Sequence, residues 1–166
     1  MNRPFLMYPD KRLRTVCTAI EAVDDNVRAV WDEMLAAMYA MPGVGLAGPQ
    51  IGEMQRLAVV DCSEGRDSPI RMANPEILHE SVKLTEHEEG SPNIPGLWSK
   101  VYRPRAITAR YLDAQGEVVE RDFVGLWATS VQHQIDHLNG KLFVDHLSPV
   151  KRKMLLAKHA KNMKRR

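Results

Sequence analysis

The 166-residue sequence predicts an α+β fold, with small antiparallel or mixed sheets packed around a central helix and one helix on either side of them in the chain. Three observations carry this. Apolar residues recur at helical spacing near the start, in the middle and at the end of the chain, short apolar runs separate these segments, and most of those runs are joined by short polar turns. The middle helix carries His133 and His137.

The first helix opens at Asp24 or Asp25, either of which can cap it. Val27, Val30, Trp31, Met34, Leu35, Met38 and Met41 then recur at spacings of three and four, and Pro42 and Gly43 end it. A loop rich in glycine follows, Gly43 to Gln50. Leu57 to Val60 and Ile70 to Ala73 read as two strands separated by the polar stretch Ser63 to Ser68. Glu88 to Gly96 contains Pro92 and Pro95, so it is an irregular, fixed strand or loop and not a helix. Ile107 to Leu112 and Val118 to Val124 flank Asp113-Ala114-Gln115-Gly116 and should pair as a hairpin. The central helix runs from about Gly125 to Asn139, with Gly140 as its stop. Ser148 and Pro149 then supply an N-cap and a first helical position for a basic helix over 148–166.

The length suits a single domain over 1–166, large enough to bury a core without staples. Apolar residues at 44% and charged residues at 27% are ordinary for a soluble protein, and no apolar run is long enough to span a bilayer, so no membrane partner is expected. Met1 to Asp10 mixes Arg3, Pro4, Pro9 and Asp10 and lacks the apolar stretch of a secretory leader, which makes the cytoplasm the expected compartment. Cys17 and Cys62 stand far apart, which excludes a disulfide scaffold and a cysteine-rich zinc module and leaves two buried thiols. A net charge of +2 is too small for a general polyanion binder and DNA is not an expected partner, yet residues 151–166 hold eight Lys or Arg and no acid. That tail is either a solvated face or a helix lying on nucleic acid.

Three segments bear chemistry. His133 and His137, at i and i+4, share one helix face, a metal-pair spacing that core or surface histidines also show. Zinc hydrolases with the pattern HExxH use its glutamate as general base, whereas Gln134 stands there in this chain. Gly43-Val44-Gly45-Leu46-Ala47-Gly48-Pro49-Gln50 permits close backbone approach to a ligand, or is simply a tight turn. Without GK[ST] and a preceding strand it is a poor phosphate cradle. The third segment, Glu88-Glu89-Gly90-Ser91-Pro92-Asn93-Ile94-Pro95-Gly96, says little alone.

Taken in this order and spacing, the segments resemble the three signature motifs of peptide deformylases: GxGxAxxQ, EGCLS and HExxH on a helix. Asn74-Pro75 with Leu78, Val101 and Arg103, and the run from Asp136-His137-Leu138 through Gly140-Lys141-Leu142-Phe143 to Leu147-Ser148-Pro149 agree with them, so the resemblance covers essentially the whole chain. It implies a peptide-deformylase-like fold, removal of the formyl group from N-terminal formyl-methionine of new bacterial proteins, and a divalent ion of iron, zinc, nickel or cobalt held by two histidines and a cysteine. The ligand roles fall on His133 and His137, which match, and on Ser91, which does not. The first motif's Gly43, Val44, Gly45 and Leu46, with Leu126 and Thr129, fall where substrate and its methionine are held, and Glu89 with Arg103 matches a bracing pair. The basic C-terminal helix resembles the element that docks deformylases at the ribosomal tunnel exit.

Two further positions depart from the family. The HExxH glutamate, which takes a proton and passes it to the leaving amine, is Gln134, and a carboxamide does not titrate near neutrality. The oxyanion is held by a glutamine matched at Gln50 and by a backbone N–H at the position of Pro92, which has none. His87 or Glu88 stands near enough in sequence to substitute for the lost ligand, or is an ordinary surface residue. The resemblance therefore implies a binder of peptide N-termini, formyl-methionyl ones among them, with weak or absent turnover and doubtful metal occupancy. The alternative is an active amide hydrolase with altered ligation or substrate.

Overall fold

A computed structural model describes residues 3–166. Met1 and Asn2, the first residues of the segment read as lacking a leader, lie outside the described residues. The element order is helix α1 (Asp25–Ala40), strands β1 (Gly45–Ala47), β2 (Leu57–Val60), β3 (Ile70–Glu80), β4 (Leu84–Ser91), β5 (Ile94–Pro104), β6 (Ala106–Leu112) and β7 (Val118–Val124), then helices α2 (Gly125–Leu138) and α3 (Pro149–Lys164). This is the expected α+β class. No helix among the described residues is long and apolar enough to cross a membrane.

The helix ends follow from their caps. The Asp24 carboxylate accepts from the Val27 N–H at 2.9 Å, satisfying one of the orphan donors of the first turn of α1. Ser148 caps α3 in the same way, through the Lys151 N–H at 3.3 Å, with Pro149 at the first helical position. Helix α2 stops at Asn139 because Gly140 follows at φ 75°, a left-handed conformation that glycine adopts without strain.

Strands β1, β2, β3, β6 and β7 form one antiparallel sheet in that order, and β4 and β5 form a separate hairpin. All four residues of β2 are buried, because helices cover both faces of the sheet. Leu57 and Val59 pack with Trp31, Met34, Leu35 and Met38 of α1, while Ala58 and Val60 pack with Ala128, Val131, Ile135 and Leu138 of α2. Alternation along a strand thus divides the core into two layers, with the strand between them. A third cluster joins Leu13, Ile94, Leu97, Val101 and Phe143 beneath α3, where buried His159 donates from Nε2 to the Tyr8 carbonyl at 2.8 Å.

The structure departs from the sequence reading at several places. Strand β3 does not end at Ala73 but continues to Glu80 through a register shift at Asn74-Pro75. Asn74 takes φ 51°, and its side chain exchanges two 2.9 Å hydrogen bonds with the backbone of Ile20, which holds the irregularity in place. The glycine-rich segment, read as a loop, contains β1 and a 3₁₀ turn over Gly48–Ile51, because Gly45 to Ala47 pair with Val60 to Ala58. The segment Glu88 to Gly96, read as a strand or loop, agrees: it is the end of β4 and the start of β5, with Pro92 and Asn93 as their turn. Cys17 is buried as expected, but Cys62 is only half-buried.

Candidate active site

The first motif, the β4–β5 turn and one face of α2 meet around a cavity of about 520 Å³, in the size range of small-ligand sites. Its walls include Gly43, Val44, Gly45, Gln50, Ser91, Pro92, Leu126, Thr129, His133 and Gln134. Of the residues singled out from the sequence, two lie elsewhere. Leu46 is fully buried in the α1 layer, since the residue after Gly45 in a strand points to the opposite face of the sheet. His137 sits behind His133 and not on the wall. His87 and Glu88 do line the cavity, and His87 Nδ1 lies 3.0 Å from the Thr129 hydroxyl.

At the inner end of the cavity a closed polar network joins Gln50, Ser91 and Asn93. Gln50 accepts from the Ala47 N–H at 2.9 Å, and its Nε2 donates to Asn93 Oδ1 at 2.8 Å and to Ser91 Oγ at 3.3 Å. Both amide hydrogens are then engaged. Ser91 donates to Asn93 Oδ1 at 2.9 Å and accepts from the Asn93 N–H at 3.3 Å, so its hydroxyl is equally occupied. Asn93, fully buried, also donates to the carbonyls of Leu6 and Gln50. Sequence reasoning missed Asn93. Its one signal was an amide two residues beyond Ser91, placed to bond back across a turn.

Gln134 is packed differently. The Ser130 hydroxyl donates to the Val44 carbonyl at 3.1 Å, so it must accept from Gln134 Nε2 at 3.4 Å, and this fixes which way the amide faces. Oε1 is buried with no donor. Ser130 lies one turn before Gln134, a spacing that would have flagged it. Gly45 has to be glycine at this point, because a Cβ there would come within 2.3 Å of Gln134 Nε2 and 2.5 Å of Ser130 Oγ.

The two histidines face each other, Nε2 to Nε2, at 3.0 Å. Glu89 Oε1 lies 2.8 Å from His133 Nδ1, and Arg103 forks onto Glu89 at 2.7 and 2.9 Å while its other nitrogen reaches Asp136 at 2.8 Å. Burial alone would raise the Glu89 pKa, but hydrogen bonds from Arg103 and His133 outweigh it and hold the pKa at about 2. Asp136 is likewise drawn down to about 2 against burial, by His146 and Arg103. Complete burial, reinforced by the neighbouring His133, depresses the His137 pKa well below its usual value. His133 Nδ1 donates to the Glu89 carboxylate, its Nε2 meets the Nε2 of His137, and His137 Nδ1 is buried without a partner.

The chain matches the family model described as polypeptide deformylase over residues 2–153. The chain belongs to the peptide deformylase family. A peptide deformylase of Hydrogenovibrio crunogenus is 47% identical over 95% of this chain and 93% of its own. The crystal structure of a peptide deformylase from Legionella pneumophila superposes with a TM-score of 0.92 at 40% identity, covering 99% of this chain and 96% of that one. A peptide deformylase from Acinetobacter baumannii, solved with Met-Ala-Ser bound, gives 0.83 at 31% identity, covering 89% of this chain and 99% of that one.

Deformylases are metal-dependent enzymes of nascent-protein processing. The two convergent imidazoles are two of the three side chains of such a ligand set. The remaining position is the Ser91 hydroxyl, already committed to hydrogen bonds, and among the described residues no group of three or more His, Cys, Asp or Glu side chains is placed to hold a metal ion. The residues do not supply the family's ligand set.

Proposed function

We propose that this chain is a cytoplasmic, deformylase-like binder of peptide N-termini, formyl-methionyl ones included, with little or no deformylase activity. The observation that carries this reading is the state of the inner end of the cavity. Gln50 has no free hydrogen, Pro92 has no N–H, and Gln134 cannot titrate, so neither an oxyanion donor nor a general base is available there. The peptide-sized cavity is retained, with Val44, Leu126 and Thr129 on its walls as the side-chain pocket. Docking of α3, with its basic surface, at the ribosome would place the cavity near emerging N-termini. Purified protein incubated with formyl-Met-Ala-Ser should release no product above background, and turnover at ordinary enzyme rates would overturn the proposal.

The convergence of His133 and His137 favours one second reading, a hydrolase with altered metal ligation. It requires stoichiometric iron, zinc or nickel after reloading and dialysis, whereas loss of the softest, charged ligand predicts weak retention.

A further inference from the structure

We infer that the cavity selects peptides with a free α-amino group over formylated ones. This rests on the reading of the chain as a binder of N-termini. A formyl group brings a carbonyl oxygen that needs donors, and an α-ammonium brings three N–H donors that need acceptors. Near neutrality most N-terminal amines are protonated, with pKa values around 7.7–8.0.

The inner end of the cavity is poor in donors. The Gln50 amide hydrogens are taken by Asn93 and Ser91, the Ser91 hydrogen is taken by Asn93, and Pro92 contributes none. The Gln134 Nε2 side of its amide is turned toward Ser130 and packed against Gly45. An acceptor, by contrast, stands unused. Gln134, 4% exposed and on the cavity wall, has Oε1 buried without a donor. A buried acceptor left unpaired is unfavourable in the free site, and a ligand N–H relieves that cost on binding.

The charge around the site has the sign this requires. The residues lining the cavity include Glu88 and Glu89 and, among the described residues, no lysine or arginine. Behind His133, one guanidinium, Arg103, faces two carboxylates, Glu89 and Asp136. A cation is better tolerated here than an added acceptor.

Titration calorimetry at pH 7 with Met-Ala-Ser and formyl-Met-Ala-Ser tests the inference. Met-Ala-Ser should bind at least tenfold more tightly. Gln134→Met keeps the side-chain length and removes the acceptor, and it should cut that preference to under about threefold. Pro92→Leu returns an N–H and should strengthen formyl-Met-Ala-Ser selectively, a second arm that does not depend on the first variant folding. Equal or tighter binding of the formylated peptide overturns the inference and leaves the binder reading standing. Binding of neither peptide overturns both. Turnover of the formylated peptide overturns the non-catalytic reading, while the binding ratio still decides this one.

Discussion

Restoring Ser91→Cys, Pro92→Leu and Gln134→Glu together should recover deformylation by a factor that the missing groups set. A positioned general base contributes about 10²–10⁴ in rate. One oxyanion donor contributes about 10²–10³. Their product, about 10⁴–10⁷, corresponds to roughly 5–10 kcal/mol at 1.36 kcal/mol per tenfold. The network adds a condition. Gln50 can turn a hydrogen toward substrate only when Ser91 no longer takes it, and a cysteine sulfur is a weak acceptor, so Ser91→Cys acts on Gln50 as well as on metal binding. Groups that work as a unit are strongly non-additive, and each single restoration should therefore gain less than about tenfold. The assay is release of the free amine from formyl-Met-Ala-Ser, with nickel added equally to all variants. If the unaltered protein came within about tenfold of a folded triple variant, the three substitutions would not be what silences the site.

Three further outcomes follow from the buried charges and the tight wall. Arg103→Met leaves Glu89 and Asp136 facing each other without their cation and should cost about 3–5 kcal/mol, read as a lower denaturant midpoint, with a loss under 1 kcal/mol contradicting it. Glu89 has its pKa lowered from 4.5 to about 2 on folding, and a depressed carboxylate stabilises above its unfolded pKa. About 3 kcal/mol should thus be present above pH 4.5 and lost progressively as pH falls toward 2, with Asp136 adding in the same direction, and urea midpoints that stay flat from pH 5 to 2.5 would refute it. Gly45→Ala drives a Cβ against Gln134 and Ser130, and should cost about 1–3 kcal/mol and weaken Met-Ala-Ser binding at least tenfold, checked by thermal unfolding and calorimetry.

Local signals made much of the fold legible. The Asp24 cap, the spacing of the α1 apolar residues, the Asp113–Gly116 turn and Gly140 each act within a few residues, and those helix and hairpin limits agree with the structure to within two residues. What was not legible depends on distant partners. Strand β1 exists because β2 is there to pair with it, and β3 passes Asn74 because Ile20 holds the bulge. The site divides in the same way. Gln134, Ser91 and Pro92 were readable as wrong residue types in a known pattern. That Gln50 is disarmed by its neighbours was not, since Gln50 matches the pattern and only the contacts with Asn93 and Ser91 show where its hydrogens go. That the Leu46 side chain turns into the α1 layer follows from strand alternation, which a segment read as loop does not have.

The contrast between what is kept and what is lost follows from cost. Glu89, Arg103 and Asp136 tie β4 and β5 to α2, and deleting Arg103 strands two buried carboxylates. Ser91, Pro92 and Gln134 carry no such burden. Serine fits into a network whose every hydrogen is used. Proline occupies the β4–β5 turn, between Ser91 and Asn93, where it removes an N–H that no strand pairing uses. Glutamine is the isostere of glutamate and still reaches Ser130. Each of these changes lies on the cavity wall and breaks no ion pair, so its reversal disturbs only local hydrogen bonds of Ser91 and Gln134. The triple variant is therefore expected to unfold within about 1–3 kcal/mol of the unaltered chain, and its rate is compared at a matched folded fraction.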